Sequence, residues 1–315
     1  MKVISGANLQ NEHKLVATIG FFDGVHMGHQ HLIGQVVDLA KKENLHSGVI
    51  TFRNHPRKVV HLDYVPELLT TFEERIQQLS LLGIDYCVVL DFDNELAQLT
   101  AQEFITQVLS TKLAVSTLVI GYDHRFGKNR SESFSDYVQY GQAVGINMVK
   151  SDVFCFQEIN ISSSIIRHSL TKGRVGEVAQ YLQRPYSIVG HVVEGLQLGR
   201  QIGYPTANIK LDEIEKIIPA SGVYAVVVRW SNQQFGGMLN IGVRPTVSDK
   251  NEISIEVNLF DFSGNLYNET LEVQFIEKLR DERKMNGLDD LKQQLVLDKE
   301  LSLSILNKKS RNPLV

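Results

Sequence analysis

The segment Leu15-Val16-Ala17-Thr18-Ile19-Gly20-Phe21-Phe22-Asp23-Gly24-Val25-His26-Met27-Gly28-His29 decides the fold of the first half of the chain. An apolar run from Leu15 to Phe22 enters a turn bearing Gly20 and Gly24, and helical periodicity follows over Gln30 to Glu43. Strand, glycine turn and helix in that order open a βαβ unit. The start of such a helix offers free backbone N–H groups and a positive dipole end, both suited to a phosphate.

The same alternation continues outward. Apolar runs at Ser47 to Phe52, Tyr86 to Leu90 and Thr117 to Gly121 are separated by helical periodicity at Phe72 to Leu82, Ala101 to Leu113 and Phe134 to Val144. Strands separated by helices predict an α/β domain with a parallel sheet. Ligands of such sheets bind beyond the carboxyl ends of the strands. Phe22 to His29, Asn54 to Arg57 and Tyr122 to Arg125 fall there.

From about Tyr186 the pattern changes. Strand-like runs follow one another at Ser187 to Val193, Val223 to Trp230, Phe235 to Ile241, Ile253 to Phe260 and Leu271 to Phe275, joined by turns such as Ser263-Gly264-Asn265. This predicts an antiparallel barrel or sandwich, closed by a helix at Leu288 to Leu297. The boundary is placed near Gln183-Arg184-Pro185, with domains over 1–184 and 185–306 and a frayed tail over 307–315.

Composition narrows the class of function. Hydrophobic residues make up 43% and charged residues 22%, as in a globular protein, and the net charge of −4 argues against a broad nucleic-acid surface. Cys87 and Cys155 belong to no CxxC or Cys/His cluster, which argues against a disulfide framework or a structural zinc site, and both read as small core residues. The first residues lack the apolar run of a signal peptide, and no segment reaches about 18 apolar residues. A cytoplasmic protein with no membrane partner is expected, its oligomeric state open.

His26 and His29 stand three apart at the helix start, so they share a face and can donate hydrogen bonds to charge developing on phosphorus. Gly28 lets a nucleotide approach the backbone. Two surface histidines beside a loop would show the same spacing, whereas a zinc site needs a further acidic or cysteine ligand. In Ile161-Ser162-Ser163-Ser164-Ile165-Ile166-Arg167 the serines can cap a helix. With Arg167 one turn in, the same segment can also clamp a triphosphate.

The second half contains Gly199-Arg200-Gln201-Ile202-Gly203-Tyr204-Pro205-Thr206-Ala207-Asn208 and no GxxxxGK[ST] loop, so a kinase here is not of the P-loop type. The segment is either a plain turn or a glycine loop whose Thr206 and Asn208 oxygens suit Mg2+. Glu256, within Ile255-Glu256-Val257-Asn258-Leu259, either faces solvent from a strand or serves as a base for an alcohol.

GFFDGVHMGH and ISSSIIR resemble the paired HxGH and ISSTxxR signatures of bacterial bifunctional riboflavin kinase/FAD synthetases. Tyr122 to Gly127 and Thr51 to Pro56 resemble that family's GxDFRFG and TFxPHP. GRQIGYPTAN, Gly222 to Val226, Asn240 to Val247, Glu256 to Tyr267 and Arg280 to Met285 resemble its kinase segments. The likeness runs from about Leu15 to about Asp298. It implies a Rossmann-like nucleotidyltransferase domain followed by a β-barrel riboflavin kinase domain.

The resemblance further implies that riboflavin and ATP give FMN, that FMN and ATP give FAD and pyrophosphate, and that both steps use Mg2+. It implies catalytic roles for His26, His29, Ser163, Ser164, Arg167 and Glu256. Nucleotide contacts are implied for Phe22, Gly24, Gly28, Asp123, Gly199, Gly203, Thr206 and Asn208, flavin contacts for Arg280 and Glu282, and metal ligation for Thr206 and Asn208. The chain departs from the pattern at Ser164 (for threonine), His124 (for phenylalanine), Glu132 (for glycine), Asn258 (for histidine) and Met285 (for phenylalanine). The alternatives are mainly a riboflavin kinase, or a non-catalytic flavin-sensing regulator.

Overall fold

The computed structural model describes residues 1–6, 10–60, 63, 65–122, 124–195, 199, 202–212, 215–244 and 252–311. The chain forms two compact units, Met1–Ser163 and Ser164–Val315.

The first unit is built on β1 (Lys2–Ser5), β2 (Leu15–Ile19), β3 (His46–Phe52), β4 (Tyr86–Leu90), β5 (Val115–Ile120) and β6 (Asn147–Lys150). All are parallel, in the order β1-β4-β3-β2-β5-β6. The helices are α1 (Met27–Glu43), α2 (Pro56–Val60), α3 (Phe72–Ser80), α4 (Asn94–Gln98), α5 (Ala101–Glu103) and α6 (Phe134–Ala143). A sheet covered on both faces reads as continuous apolar runs, and β2 and β4 are buried along their whole length. Leu15 and Ala17 join the cluster of Ile105, Leu109 and Tyr137, while Val16 packs with Val36 and Ala40 of α1. From β2 the chain turns through α1 to β3 on one side, whereas β5 lies against the other side of β2. This reversal of strand order places a crevice beside the turn that follows β2.

The second unit takes most of α7 (Ser163–Thr171) together with α8 (Val175–Leu182). Six antiparallel strands follow: β7 (Tyr186–Val193), β8 (Ala207–Leu211), β9 (Gly222–Trp230), β10 (Gln233–Arg244), β11 (Glu252–Leu259) and β12 (Thr270–Arg280). They close as a barrel in the order β10-β11-β8-β7-β12-β9. Along β7, Tyr186, Ile188, Gly190 and Val192 point inward and alternate with less buried residues, as in a sheet wetted on one face.

Several expectations need correction. The compact units divide at Ser163–Ser164, so α7 and α8, which lie before the expected boundary near Arg184, pack with the barrel. Ala220 N–H donates to the Leu170 carbonyl at 3.0 Å, and the Tyr224 hydroxyl and Lys278 occupy the space a Cβ on Gly173 would need, so α7 is tied to the barrel. The stretch Ala101 to Leu113 is α-helical only at its start. It continues as a π-helix over Phe104–Lys112, with Leu113 N–H reaching the Val108 carbonyl at 3.0 Å. Cys87 is buried, its thiol pushed up to about 12 by desolvation, but Cys155 is exposed.

The closing helix, α9 (Leu288–Arg311), does not stop at Leu297, so residues 307–311 of the expected tail are helical. Leu306 lies against Gly236 of β10, and Asp298 and Ser302 are buried. Asp298 receives Arg280 in a two-pronged pair, Nε to Oδ1 at 3.0 Å and Nη2 to Oδ2 at 2.8 Å, and Gln294 donates to Oδ1 at 2.8 Å. Removing one partner of a buried pair leaves a desolvated charge. Asp298→Ala is therefore expected to destabilise the second unit by about 3–5 kcal/mol in denaturant unfolding. A loss below about 1 kcal/mol would mean that solvent already screens the pair.

Candidate active sites

Beyond β2 the backbone takes left-handed conformations at Phe22 (φ 57°), Gly24 (φ 83°) and Val25 (φ 43°). Such angles are unfavourable for bulky and β-branched residues, so other contacts must hold them. Phe22 and Val25 are buried with Ile33 and Leu79. The buried Asp23 carboxylate accepts from Leu69 N–H at 3.0 Å, Thr70 N–H at 3.1 Å and the Thr70 hydroxyl at 3.2 Å. Gly24 N–H donates to the Thr70 hydroxyl oxygen at 3.1 Å, and the Ser163 hydroxyl donates to the Asp23 carbonyl at 2.9 Å.

Asp23 thus joins the turn to the Leu69-Thr70 loop, and its carbonyl joins the turn to the first residue of α7. Asp23→Ala would leave two buried N–H groups without an acceptor, at a cost of about 1–3 kcal/mol each. The expected results are a lower melting temperature for the first unit and loss of its chemistry, with the barrel's chemistry retained. An unchanged melt would show that the turn holds itself.

His26 is the N-cap of α1, with extended backbone angles, and its side chain makes no cap bond. Its ring stacks on His29 with centroids 3.7 Å apart and planes at 21°. Gly28 is needed by this stack, because a Cβ there would sit 3.3 Å from the His26 ring and 3.4 Å from the Ile161 carbonyl. His29 is half-buried, and its Nδ1 is buried with no hydrogen-bond partner among the described residues. Desolvation, with the neighbouring His26 and His124, holds its pKa well below 6.5. The imidazole is therefore neutral near pH 7 and can donate one N–H without a full positive charge. No acidic residue lies in the first turn of α1, so nothing there repels an anion.

Beside this turn lies a cavity of about 290 Å³ lined by Ile19, Phe52 and Phe126, with Arg57, Lys128 and Arg130 among its polar residues. Phe126 stacks on Tyr137 at 4.4 Å, and the Tyr137 hydroxyl bonds the Phe126 N–H and carbonyl at 3.0 and 3.1 Å. Arg75 is 1% exposed, and its guanidinium donates to the Phe52 carbonyl at 2.6 Å and lies 4.0 Å over the Phe21 ring. Burial lowers its pKa to about 10, so it remains charged while fixing the end of β3.

In the barrel, β8 and β11 place Asn208 opposite Glu256 and Ala207 opposite Val257. The Thr206 hydroxyl lies 3.4 Å from a Glu256 carboxylate oxygen. Gly195 is required because a Cβ there would collide with the Asn208 side-chain amide. Gly199 closes a turn through its carbonyl, which accepts from Ile202 N–H at 3.2 Å and Tyr204 N–H at 2.8 Å, and Gly203 adopts φ 85°. One cavity of about 310 Å³ holds Thr206, Asn240, Glu256, Asn258 and Met285 in its wall. A second, of about 340 Å³, is lined by Pro205, Thr206, Phe262 and Tyr267. Thr206 borders both, so ligands in the two cavities would meet beside Glu256.

Comparison with known proteins gives the same two-part organisation. The family model described as FAD synthetase matches residues 8–165, and that described as riboflavin kinase matches residues 182–306. A bifunctional riboflavin kinase/FMN adenylyltransferase of Haemophilus influenzae is 36% identical over 98% of this chain and 100% of its own length. The protein of the same description from Bacillus subtilis is 37% identical over 92% of each chain. The chain belongs to the bifunctional riboflavin kinase/FMN adenylyltransferase family. A crystal structure described as a macrolide-efflux protein of Streptococcus pneumoniae shares the fold, with TM-score 0.87 and 32% identity over 95% of this chain and 98% of that one. Among the described residues of this family member no helix is long and apolar enough to cross a membrane.

Within the FAD synthetase domain the structure brings together His26, His29, Gly24, Gly28 and Ser163, while Asp123 lies outside the described residues. Phe22 is 2% exposed and the Gly24 N–H donates to the Thr70 hydroxyl oxygen, so both residues shape the turn. Ser164 is exposed and Arg167 half-buried on α7. His124 lies 6.3 Å from Phe126, and Glu132 accepts from Ser131 at 3.4 Å.

In the riboflavin kinase domain, Glu256, Thr206, Arg280 and Glu282 line one cavity. Arg280 is already engaged by Asp298, which limits what it can offer a flavin. Asp23, Thr70, Arg75 and Gly195 went unnoticed in the sequence. Only the Asp-Gly pair at Asp23-Gly24 offered a signal, as a turn former.

Proposed function

We propose that this chain converts riboflavin to FAD in two ATP-dependent steps, with the barrel making FMN and the α/β unit making FAD. The observation that carries the reading is that each unit has its own polar site, while relatives named for both activities match nearly the whole chain.

In the barrel the riboflavin 5′-hydroxyl attacks the γ-phosphorus of ATP, the bond to ADP breaks, and Glu256 accepts the hydroxyl proton. The meeting of two cavities at Thr206 supports this role, one for the flavin and one for the nucleotide. The oxygen donors of Thr206, Asn208 and Glu256, gathered by the β8–β11 pairing, fit a hard cation. Thr206 and Asn208 would hold Mg2+, which when bound neutralises charge on the nucleotide phosphates. Glu282, and Arg280 through the face left by Asp298, would border the flavin.

In the α/β unit an FMN phosphate oxygen attacks the α-phosphorus of ATP, and the bond to pyrophosphate breaks. That nucleophile is already anionic, so positioning and charge stabilisation suffice. His26 and His29 would donate to the α-phosphate, Gly28 and the start of α1 would lie against the phosphates, and Ser163 would hold the leaving pyrophosphate. The apolar cavity with Arg57, Lys128 and Arg130 on its wall suits an isoalloxazine ring with an anionic tail. Both reactions fit a cytoplasmic setting, with small molecules as the only required partners and no nucleic acid.

The test is a time course with riboflavin, ATP and Mg2+, the flavins being separated by chromatography. FMN should appear first and FAD should follow. FMN accumulating without FAD would refute adenylylation, and unchanged riboflavin would refute the kinase.

A further inference from the structure

We infer that Asn258 is a positioning residue for riboflavin phosphorylation, holding the Pro205-Thr206 segment so that the Thr206 hydroxyl stays beside Glu256. This rests on the kinase reading above. The backbone pairing of β8 with β11 covers only Ala207↔Val257 and Asn208↔Glu256. It cannot extend by the usual ladder to Pro205, which has no N–H to donate. The Asn258 side chain takes over one residue past the last pair, donating from Nδ2 to the Pro205 carbonyl at 2.7 Å. Asn258 is 7% exposed, so the donor end of this bond is shielded from water.

The residue held is next to Thr206, whose hydroxyl lies 3.4 Å from Glu256, and Pro205 and Thr206 both border the second cavity. Asn258 shares the wall of the first cavity with Thr206 and Glu256. One amide therefore fixes the segment where the two cavities meet. Without it, the Pro205 carbonyl loses its side-chain donor, and Thr206 is free to move away from the carboxylate.

Asn258→Leu keeps the bulk and deletes the donor, and Asn258→His restores a ring N–H at similar reach. Steady-state kinetics of both variants and the unaltered chain, with MgATP and riboflavin varied separately, test the role. Asn258→Leu should raise the KM for MgATP by about tenfold, as expected for losing one hydrogen bond. Riboflavin binding, read by quenching of its fluorescence without nucleotide, should change less than about twofold, and FAD formation from FMN should be unaffected. Asn258→His should recover most of the MgATP KM.

An unchanged MgATP KM in Asn258→Leu overturns the inference while leaving the kinase reading intact. So does an equal loss of riboflavin and MgATP affinity that Asn258→His fails to repair, since that is general damage to the barrel. If the unaltered chain makes no FMN, the kinase reading fails and this inference fails with it.

Discussion

Glu256→Gln is expected to lower kcat for riboflavin phosphorylation by about 10²–10⁴-fold, the range for a lost general base. The amide keeps the size of the carboxylate and can still accept a hydrogen bond from the Thr206 hydroxyl, 3.4 Å away in the unaltered chain. It cannot take the proton of an alcohol that is scarcely acidic near neutral pH. Riboflavin should bind as before, because the cavity wall keeps its shape, so kcat should fall while the riboflavin KM stays within about twofold. FMN adenylylation by the same polypeptide provides an internal control and should not change. A kcat within about tenfold of the unaltered protein would show that Glu256 does not carry the proton transfer.

Much of this arrangement could be read from the residues, for reasons that also explain the misses. The inner strands β2 to β5 stood out because burial on both faces demands unbroken apolar runs. Edge strands β1 and β6 are short and partly exposed, so they carry little such signal. Strand β8 was hidden behind Pro205, whose turn chemistry masks the pairing that begins at Ala207. The helical end of the chain was missed because docking of Leu306 on Gly236 depends on a strand distant in sequence.

The sites divide in the same way. His26 and His29 were legible because their contact follows from helical spacing within one segment. Glu256 gained a role only through resemblance, since a strand glutamate by itself more simply faces solvent. Its neighbour Thr206 lies 50 residues upstream. Asp23 is bonded to residues 46 and 47 positions away, and Arg75 stands in a polar run, Glu73-Glu74-Arg75, that looks like solvated surface. Such long-range polar contacts leave no periodic trace.

His29→Asn is expected to reduce kcat for FAD formation by about 10²–10³-fold, the cost of removing one positioned donor from a site where phosphorus charge develops. Riboflavin phosphorylation should be unchanged. The same variant has a second, independent signature in stability. In the folded chain the pKa of His29 is held well below 6.5 by desolvation, with His26 and His124 adding to the effect, whereas in the unfolded chain it returns to 6.5. Between those values the unfolded chain binds more protons, so the first unit loses stability as the pH falls below 6.5, while above 6.5 its full stability is present. Asparagine has no proton to gain, which removes this contribution. Denaturant midpoints measured at about pH 7.5 and about pH 5 should therefore differ less in His29→Asn than in the unaltered chain. Equal pH sensitivity in the two proteins would mean that His29 is not held neutral by the fold. A retained rate of FAD formation would mean that the stacked pair acts through His26 alone.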